Sequence, residues 1–543
     1  MRVSITFNYI AVKSTNIPAM SITLRKLPLG VIPFAMFSCS EAEQDKLPEF
    51  RNVVVIISDD HAWHSQGSYG NEHIRTPQLD RLASEGILFT NAYCNSPICS
   101  ASRQSMLTGK YPQATGVTLL FTPFRETGNT TIAHHLGNHG FKSKLIGKTH
   151  FNHWIWYPVW EEWPKMGFDS IMEAGVHRNW LSDKERQPLP EGMDFYERIS
   201  PLIDPAGFWN AGNLPHPVYD GESEGVFFAR EAIEFMEANK DGRFLLWLSF
   251  NEPHAPFHYP VEFAGKYDPS EVPLPAGSPE DERWVPEIFR DLTEDERRGI
   301  MAAYYTCVEY MDRNIGMVID ALEDMGIREN TLIVYLSDNG YLLNHHSRFE
   351  KHTMWAESVK IPWIISGNGL QQGVVSDAII EGVDLVPTIC DLLGLPPIEE
   401  AQGISYRSLL AGSREELKKY AYSIYLEDNM AMVSSKEWKY VFMTGKRDLG
   451  LEYATGYGAP GITHFLYDLK NDPGETRNLA AEPDRQEILA DMQKELLRWF
   501  LETHPDAGVM PERLSMEGRL AWFCEPRDVG AEHGGTPLRV FRD

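Results

Sequence analysis

Residues 52–58 read Asn-Val-Val-Val-Ile-Ile-Ser and run directly into Asp59-Asp60. A continuous β-branched run offers no polar face to water, so it belongs to a strand buried on both faces. Similar apolar runs recur at residues 144–146, 244–250, 332–336 and 363–366. Helical patterns lie between them, one at residues 78–85 and the clearest at about 294–324. In the latter, Thr293 and Glu296 have the spacing of a capping box. Ile300, Tyr304, Val308, Met311, Ile315, Val318 and Leu322 then repeat at helical intervals. Strands alternating with helices predict an α/β fold: a large mixed, mainly parallel sheet sandwiched by helices.

After residue 413 the pattern changes. Short strand-like pieces at 422–426, 430–433, 438–443 and 465–469 predict a smaller antiparallel sheet, and 487–500 reads as an amphipathic helix. We therefore expect a leader and tether over 1–49, a catalytic α/β domain over 50–413, an α+β subdomain over 414–504 and a C-terminal extension over 505–543. In the leader, Arg25 and Lys26 precede an apolar run at 27–37, followed by Ser38 and Cys39. This is a charged region, a short apolar region and a small residue before cysteine. It resembles a bacterial lipoprotein cleavage site, with Met20 as the start and Cys39 as the lipidated residue, which predicts export to the periplasm or an outer-membrane anchor. The six cysteines form no CxxC pair, which argues against a zinc ribbon or thioredoxin-type site.

Charge narrows the function classes. With 50 Lys+Arg against 77 Asp+Glu the chain carries a net charge of −27, which disfavours sequence-independent nucleic-acid binding. Ligands of parallel sheets gather at the carboxyl ends of strands. Polar residues sit at four such ends: Asp59-Asp60, Lys148 with His150, His254, and Asp338-Asn339. The two acidic pairs supply hard oxygen donors suited to Ca²⁺ or Mg²⁺ rather than zinc; the alternative for each is helix capping. His61 and His64 read as pocket lining or surface rather than zinc ligands. Residues 94–109, CNSPICSASRQSMLTG, suggest a tight turn into a helix whose N-terminus favours an anion.

That last segment carries a resemblance. Cys99-Ser100-Ala101-Ser102-Arg103, with Leu107-Thr108-Gly109, resembles the formylglycine signature of the type I sulfatases, members of the alkaline-phosphatase-like superfamily. Ala101 stands where proline is commoner. Other elements follow in the family's order: Asp59-Asp60, Thr76-Pro77-Gln78-Leu79-Asp80, Gly147-Lys148-Thr149-His150, Pro253-His254-Ala255-Pro256, Ser337-Asp338-Asn339-Gly340, Lys351, and Asp472-Pro473-Gly474-Glu475. The resemblance covers roughly residues 50–500.

The resemblance implies a sulfatase in which a maturase oxidises Cys99 to formylglycine. One hydroxyl of its hydrate attacks sulfur, and loss of the other proton later expels sulfate. Asp59, Asp60, Asp338 and Asn339, together with the modified Cys99, would hold one divalent metal, Ca²⁺ in preference to Mg²⁺. Arg103 would hold the hydrate in place, and Lys148 and Lys351 would clamp the sulfate. His254 would protonate the departing oxygen, His150 would help deprotonate the second hydroxyl, and His346 would touch substrate. A sulfated carbohydrate is the expected substrate. The residue 153–163 stretch, with Trp154, Trp156, Tyr157, Trp160 and Trp163, offers stacking surfaces for sugar rings or a hydrophobic loop. A phosphonate or phosphodiester hydrolase on the same fold is the nearest alternative, and a non-catalytic sulfated-glycan binding protein a more distant one.

Overall fold

The computed structural model describes residues 50–120, 122–151, 165–413, 416–444 and 461–528. Cys39 with its leader, and the aromatic stretch at 153–163, lie outside the described residues. Eight strands make the large sheet: β1 (Asn52–Ser58), β2 (Ile87–Tyr93), β3 (Lys142–Gly147), β4 (Ser170–Met172), β5 (Phe244–Ser249), β6 (Thr331–Ser337), β7 (Trp363–Ser366) and β8 (Val374–Glu381). Their order is β4-β3-β5-β1-β6-β7-β2-β8. The pairs β1–β5, β1–β6, β3–β5, β3–β4 and β2–β8 are parallel, whereas β7 runs antiparallel to both β6 and β2. The expected mainly parallel α/β sheet is therefore present, with β7 as its reversed strand.

β1 lies at the centre and every residue of it is buried. Strand side chains alternate between faces, and the core divides accordingly. Val53, Val55 and Ile57 pack with Ala101, Met106, Leu107, Leu385 and Ile389 on one side. Val54 and Ile56 pack on the other with Leu79 and Leu82 of the helix Pro77–Ser84, Phe228 of the helix Glu224–Asn239, and Met311, Ile315, Val318 and Leu322 of the helix Glu294–Asp324. The long helix starts as its sequence dictates. The Thr293 hydroxyl accepts from the Glu296 amide at 3.2 Å, and Glu296 Oε2 accepts from the Thr293 amide at 2.7 Å.

The second sheet has the order β12-β11-β10-β9, built from β9 (Ala421–Tyr425), β10 (Met430–Ser434), β11 (Trp438–Met443) and β12 (Thr463–Asp468), all antiparallel. Tyr422, Ile424, Tyr440 and Phe442 meet Leu496, Trp499 and Phe500 of the helix Gln486–Thr503 and Phe523 of the helix Met516–Phe523. The opposite face, with Tyr425, Met432 and Tyr467, joins the core of the large sheet. Among the described residues no helix is long and apolar enough to cross a membrane.

Candidate active site

The carboxyl ends of β3, β5, β1 and β6 lie side by side, and backbone bonds tie them beyond the strands themselves. The Lys148 amide donates to Ser249 O at 2.9 Å, the Asp59 amide to Glu252 O at 3.1 Å, and the Asp338 amide to Ser58 O at 3.2 Å. Lys148, Asp59, His254 and Asp338 are thereby delivered to one place. The turn carrying His254 contains cis peptide bonds at Glu252-Pro253 and Ala255-Pro256. Gly147 makes the close approach of β3 to β5 feasible. Its φ is +94°, and a Cβ there would sit 1.9 Å from Ser249 O.

Cys99 is the first residue of the helix Cys99–Thr108, which is buried along its whole length. Its thiol donates to Asp59 Oδ1 at 3.5 Å and Asn339 Oδ1 at 3.7 Å. Lys351 Nζ and Lys148 Nζ approach the sulfur at 3.6 and 3.7 Å. Arg103, one turn along the helix, donates from Nε to Asp338 Oδ2 at 2.8 Å, lies 3.5 Å from Asp59 Oδ1, and also reaches Lys148 O at 3.1 Å and Ser249 Oγ at 2.5 Å. Lys351 contacts both Asp60 oxygens at 2.5 and 2.6 Å, and Lys148 pairs with Asp59 Oδ2. His254 Nε2 stands 3.7 Å from Asp60 Oδ2. His150, at φ 50°, lines the same cavity as Asp59, Lys148 and His254.

Three buried carboxylates thus face three largely buried cations at the base of the cavity. Burial alone would raise Asp59, but Lys148, His254, Arg103 and Lys351 hold it well below the usual carboxylate range. Burial pushes Asp338 up to about 6; Arg103 opposes the rise, and Asp59 and Asp60 add to it. Burial lowers His254 to about 4 with Lys148 reinforcing, and lowers His150 well below the ordinary imidazole value for the same two reasons. Burial and the Asp338 charge drive the Cys99 thiol well up against the pull of both lysines. Cys99 is thus a neutral thiol, unlike the lowered-pKa cysteine of a thiolate enzyme.

A scan of the chain against family models matches the description "Sulfatase" over residues 51–395 and "N-sulphoglucosamine sulphohydrolase, C-terminal" over 344–501. The chain belongs to the sulfatase family. It is a sulfuric ester hydrolase on the alkaline-phosphatase-like fold. An ulvan-active sulfatase of Formosa agariphila is 29% identical over 72% of this chain and 71% of its own. An N-acetylglucosamine-6-O-sulfatase of Bacteroides thetaiotaomicron is 26% identical over 88% of this chain and 90% of its own. Among solved structures, a phosphonate monoester hydrolase from Silicibacter pomeroyi superposes with a TM-score of 0.69 at 23% identity, covering 84% of this chain and 96% of that one. A protein in complex with its substrate D-glucosamine-2-N,6-O-disulfate gives 0.65 at 22% identity over 84% of this chain and 99% of that one. At these identities the structures establish the fold.

The family implies a divalent metal and a formylglycine, and this sulfatase's donor set fits a hard cation. Asn339 spends its side-chain amide on Asp60 Oδ1 at 2.7 Å and Gly340 O at 2.9 Å, which turns its carbonyl oxygen toward Cys99. Asp59, Asp60, Cys99 and His254 also offer ligand atoms that all lie within 4.8 Å of one another. Buried carboxylates beside an amide oxygen are donors that suit Ca²⁺ and Mg²⁺.

One expected site residue takes a different place. His346 does not reach this cluster as a substrate contact. Its Nδ1 meets Asp281 at 3.1 Å, its Nε2 lies 3.6 Å from Glu357, its ring stacks on Trp355 at 4.1 Å, and only 3% of its side chain is exposed. Both ring nitrogens are engaged by carboxylates, so the residue braces the loop that carries Lys351. His61 is buried too, bonded to Tyr335 and Ser65, and is neither surface nor ligand. Ser102, inside the signature but given no role there, donates to Asp338 O at 2.5 Å, and Ser249 beneath Arg103 and the cavity-lining Glu173 and Glu224 carried no motif of their own.

Proposed function

We propose that this enzyme hydrolyses sulfate esters of a glycan through a formylglycine made from Cys99 by a maturase. The carrying observation is the convergence on the Cys99 sulfur of Asp59, Asn339, Lys148 and Lys351, all at 3.5–3.7 Å. The sulfatases active on ulvan and on N-acetylglucosamine-6-O-sulfate among its relatives support a carbohydrate substrate. Asp59, Asp60, Asp338 and Asn339 hold the metal, with Ca²⁺ preferred because it tolerates a varied oxygen set where Mg²⁺ demands near-octahedral geometry. When bound, the cation supplies positive charge that acidifies and orients a hydroxyl of the formylglycine hydrate.

Lys148 and Lys351 bind the non-bridging sulfate oxygens and offset the charge that accumulates there. Arg103 keeps Asp59, Asp338 and the position of residue 99 in register. The His254 Nδ1–H donates to Ala255 O at 2.5 Å, which leaves Nε2 as the nitrogen that takes up and then delivers the proton for the departing alcohol oxygen. In the substrate-free site Lys148 and Lys351 help keep this imidazole neutral. The negative charge of an incoming sulfate ester opposes the pull of these lysines, so substrate binding favours the protonated imidazole that the acid step needs. His150 accepts the proton of the remaining hydroxyl, which releases sulfate and restores the aldehyde. Export through the residue 25–39 leader, with Cys39 as lipid anchor, completes the reading.

Purified protein from a maturase-containing host is the test: peptide mass spectrometry at Cys99, then turnover of p-nitrophenyl sulfate and of defined sulfated saccharides. The likeness to phosphonate monoester hydrolases motivates a second reading. A preference for the phosphonate or phosphodiester of p-nitrophenol over its sulfate overturns the sulfatase assignment of substrate. Retention of a Cys39→Ala variant in the membrane fraction overturns the anchor.

A further inference from the structure

The cavity that opens onto the catalytic cluster has a volume of about 390 Å³ and continues past the catalytic groups. That is within the range of small-molecule sites. Its lining includes Lys148, His150 and His254 together with Glu173, Glu224, Asn251 and His258. Glu173 follows β4, the strand next to β3, and Glu224 is the first residue of the helix Glu224–Asn239. The Thr149 hydroxyl donates to Glu173 Oε1, and the Asn251 amide donates to Glu224 Oε2. His177 Nδ1 lies 3.8 Å from Glu224 Oε1, and 24% of the Glu224 side chain remains exposed.

Thr149 stands between Lys148 and His150, and Asn251 is three residues before His254. Both carboxyl groups are therefore fixed to the same turns that fix the catalytic residues. A carboxyl group has about four acceptor sites, and the bonds just named leave most of them for a ligand. Of the described residues lining this cavity, Lys148 alone is a permanent cation, and it pairs with Asp59.

We propose that Glu173 and Glu224 form a selective wall of the active site, which accepts an uncharged, hydroxyl-bearing sugar ring beside the scissile sulfate and disfavours a ring carrying a second anion. This rests on the sulfated-glycan reading above. Sugar hydroxyls donate to carboxyl oxygens and accept from the Asn251 amide. Against the ionised carboxylates a second sulfate, or a uronate carboxylate, brings only acceptors to acceptors and sets like charges together. Burial pushes Glu173 up to about 8 and also raises Glu224, as expected where water is scarce. A protonated carboxyl both donates and accepts, so it keeps the match to hydroxyls but loses the repulsion of anions; the discrimination belongs to the ionised wall and should strengthen as pH rises through about 8.

The test compares kcat/KM for a neutral monosulfated saccharide with that for the same saccharide bearing a second sulfate on the neighbouring hydroxyl. It uses the full chain with formylglycine confirmed by mass spectrometry. At pH 9, above the Glu173 value of about 8, the native enzyme is expected to prefer the monosulfated substrate at least tenfold. In Glu224→Gln and Glu173→Gln this ratio should fall at least fivefold, while Glu224→Asp, which keeps the carboxyl, should retain more of it. Because both rates come from one preparation, a partly unfolded variant leaves the ratio intact. Equal turnover of the two substrates by the native enzyme, or a ratio unmoved in both glutamine variants, overturns the inference. Failure of the formylglycine-bearing protein to hydrolyse any sulfate ester, p-nitrophenyl sulfate included, overturns the proposed function instead.

Discussion

Replacing His346 by glutamine separates a brace from a substrate contact. The imidazole sits between Asp281 and Glu357 with 3% of its side chain exposed. Burial alone would lower it, but hydrogen bonds and charges from the two carboxylates raise it from 6.5 to about 9. Burial alone would raise Glu357, yet His346 and His345 hold it well below the usual range. These are two views of one interaction and are counted once. At about 1.4 kcal/mol per factor of ten in protonation, the histidine contributes about 3 kcal/mol.

The sign follows from the raised value. Below pH 6.5 the folded and unfolded chains are both protonated and the stabilisation is complete. It falls as pH rises from 6.5 and is gone above about 9. For a chain of this size the unfolding entropy is about 1 kcal/mol/K, so about 3 kcal/mol corresponds to roughly 3 °C. His346→Gln should therefore melt roughly 3 °C below the native protein at pH 6, at a common scan rate, and within about 1 °C of it at pH 10. KM for an aryl sulfate should stay within about twofold, since no substrate contact is lost. A melting gap equal at both pH values refutes the reasoning, as does a large rise in KM with no change in melting.

Gly147→Ala should lower kcat/KM by about a hundredfold, because a Cβ 1.9 Å from Ser249 O must push Lys148 out of place; near-native kinetics would show that β3 can yield there. Lys439, 1% exposed, bonds Met354 O at 2.9 Å and pairs with the equally buried Glu475, so Lys439→Met should cost about 3–5 kcal/mol in denaturant unfolding. Adding Glu475→Gln should return part of that, and a double variant no more stable than the single would argue against the pairing. Dialysis against a chelator should abolish sulfate release, with Ca²⁺ restoring it better than Mg²⁺; full activity of a metal-free protein, verified by elemental analysis, would contradict the assigned ligands.

Much of the large sheet was legible because its strands obey a simple rule. β1, β5 and β6 are buried on both faces and spell continuous apolar runs. Three strands escaped that rule for visible reasons. β2 has two half-buried polar residues, Thr90 and Asn91, at a register shift. β4 has only three residues. β8 alternates at the sheet edge, with Val375 66% exposed. The reversal of β7 left no trace either, since an antiparallel strand between two others needs the same buried side chains as a parallel one.

Local sequence by itself determined where the helix Glu294–Asp324 begins, that β1 is buried on both faces, and which residues stand at strand ends, because capping, periodicity and burial act over a few neighbouring residues. The motif at residues 99–103 also singled out Cys99 and Arg103 together, as they lie one helical turn apart. Only the tertiary structure decided which of the polar residues meet. His346 and Lys351 are five residues apart on one loop, yet one is held by Asp281 and Glu357 and the other by Asp60. Glu173 and Glu224, far apart in the chain and without a motif, face one cavity because β4 and a helix N-terminus flank β3 and β5. Charge pairing and desolvation depend on distances across strands, and those distances exist only once the sheet has formed.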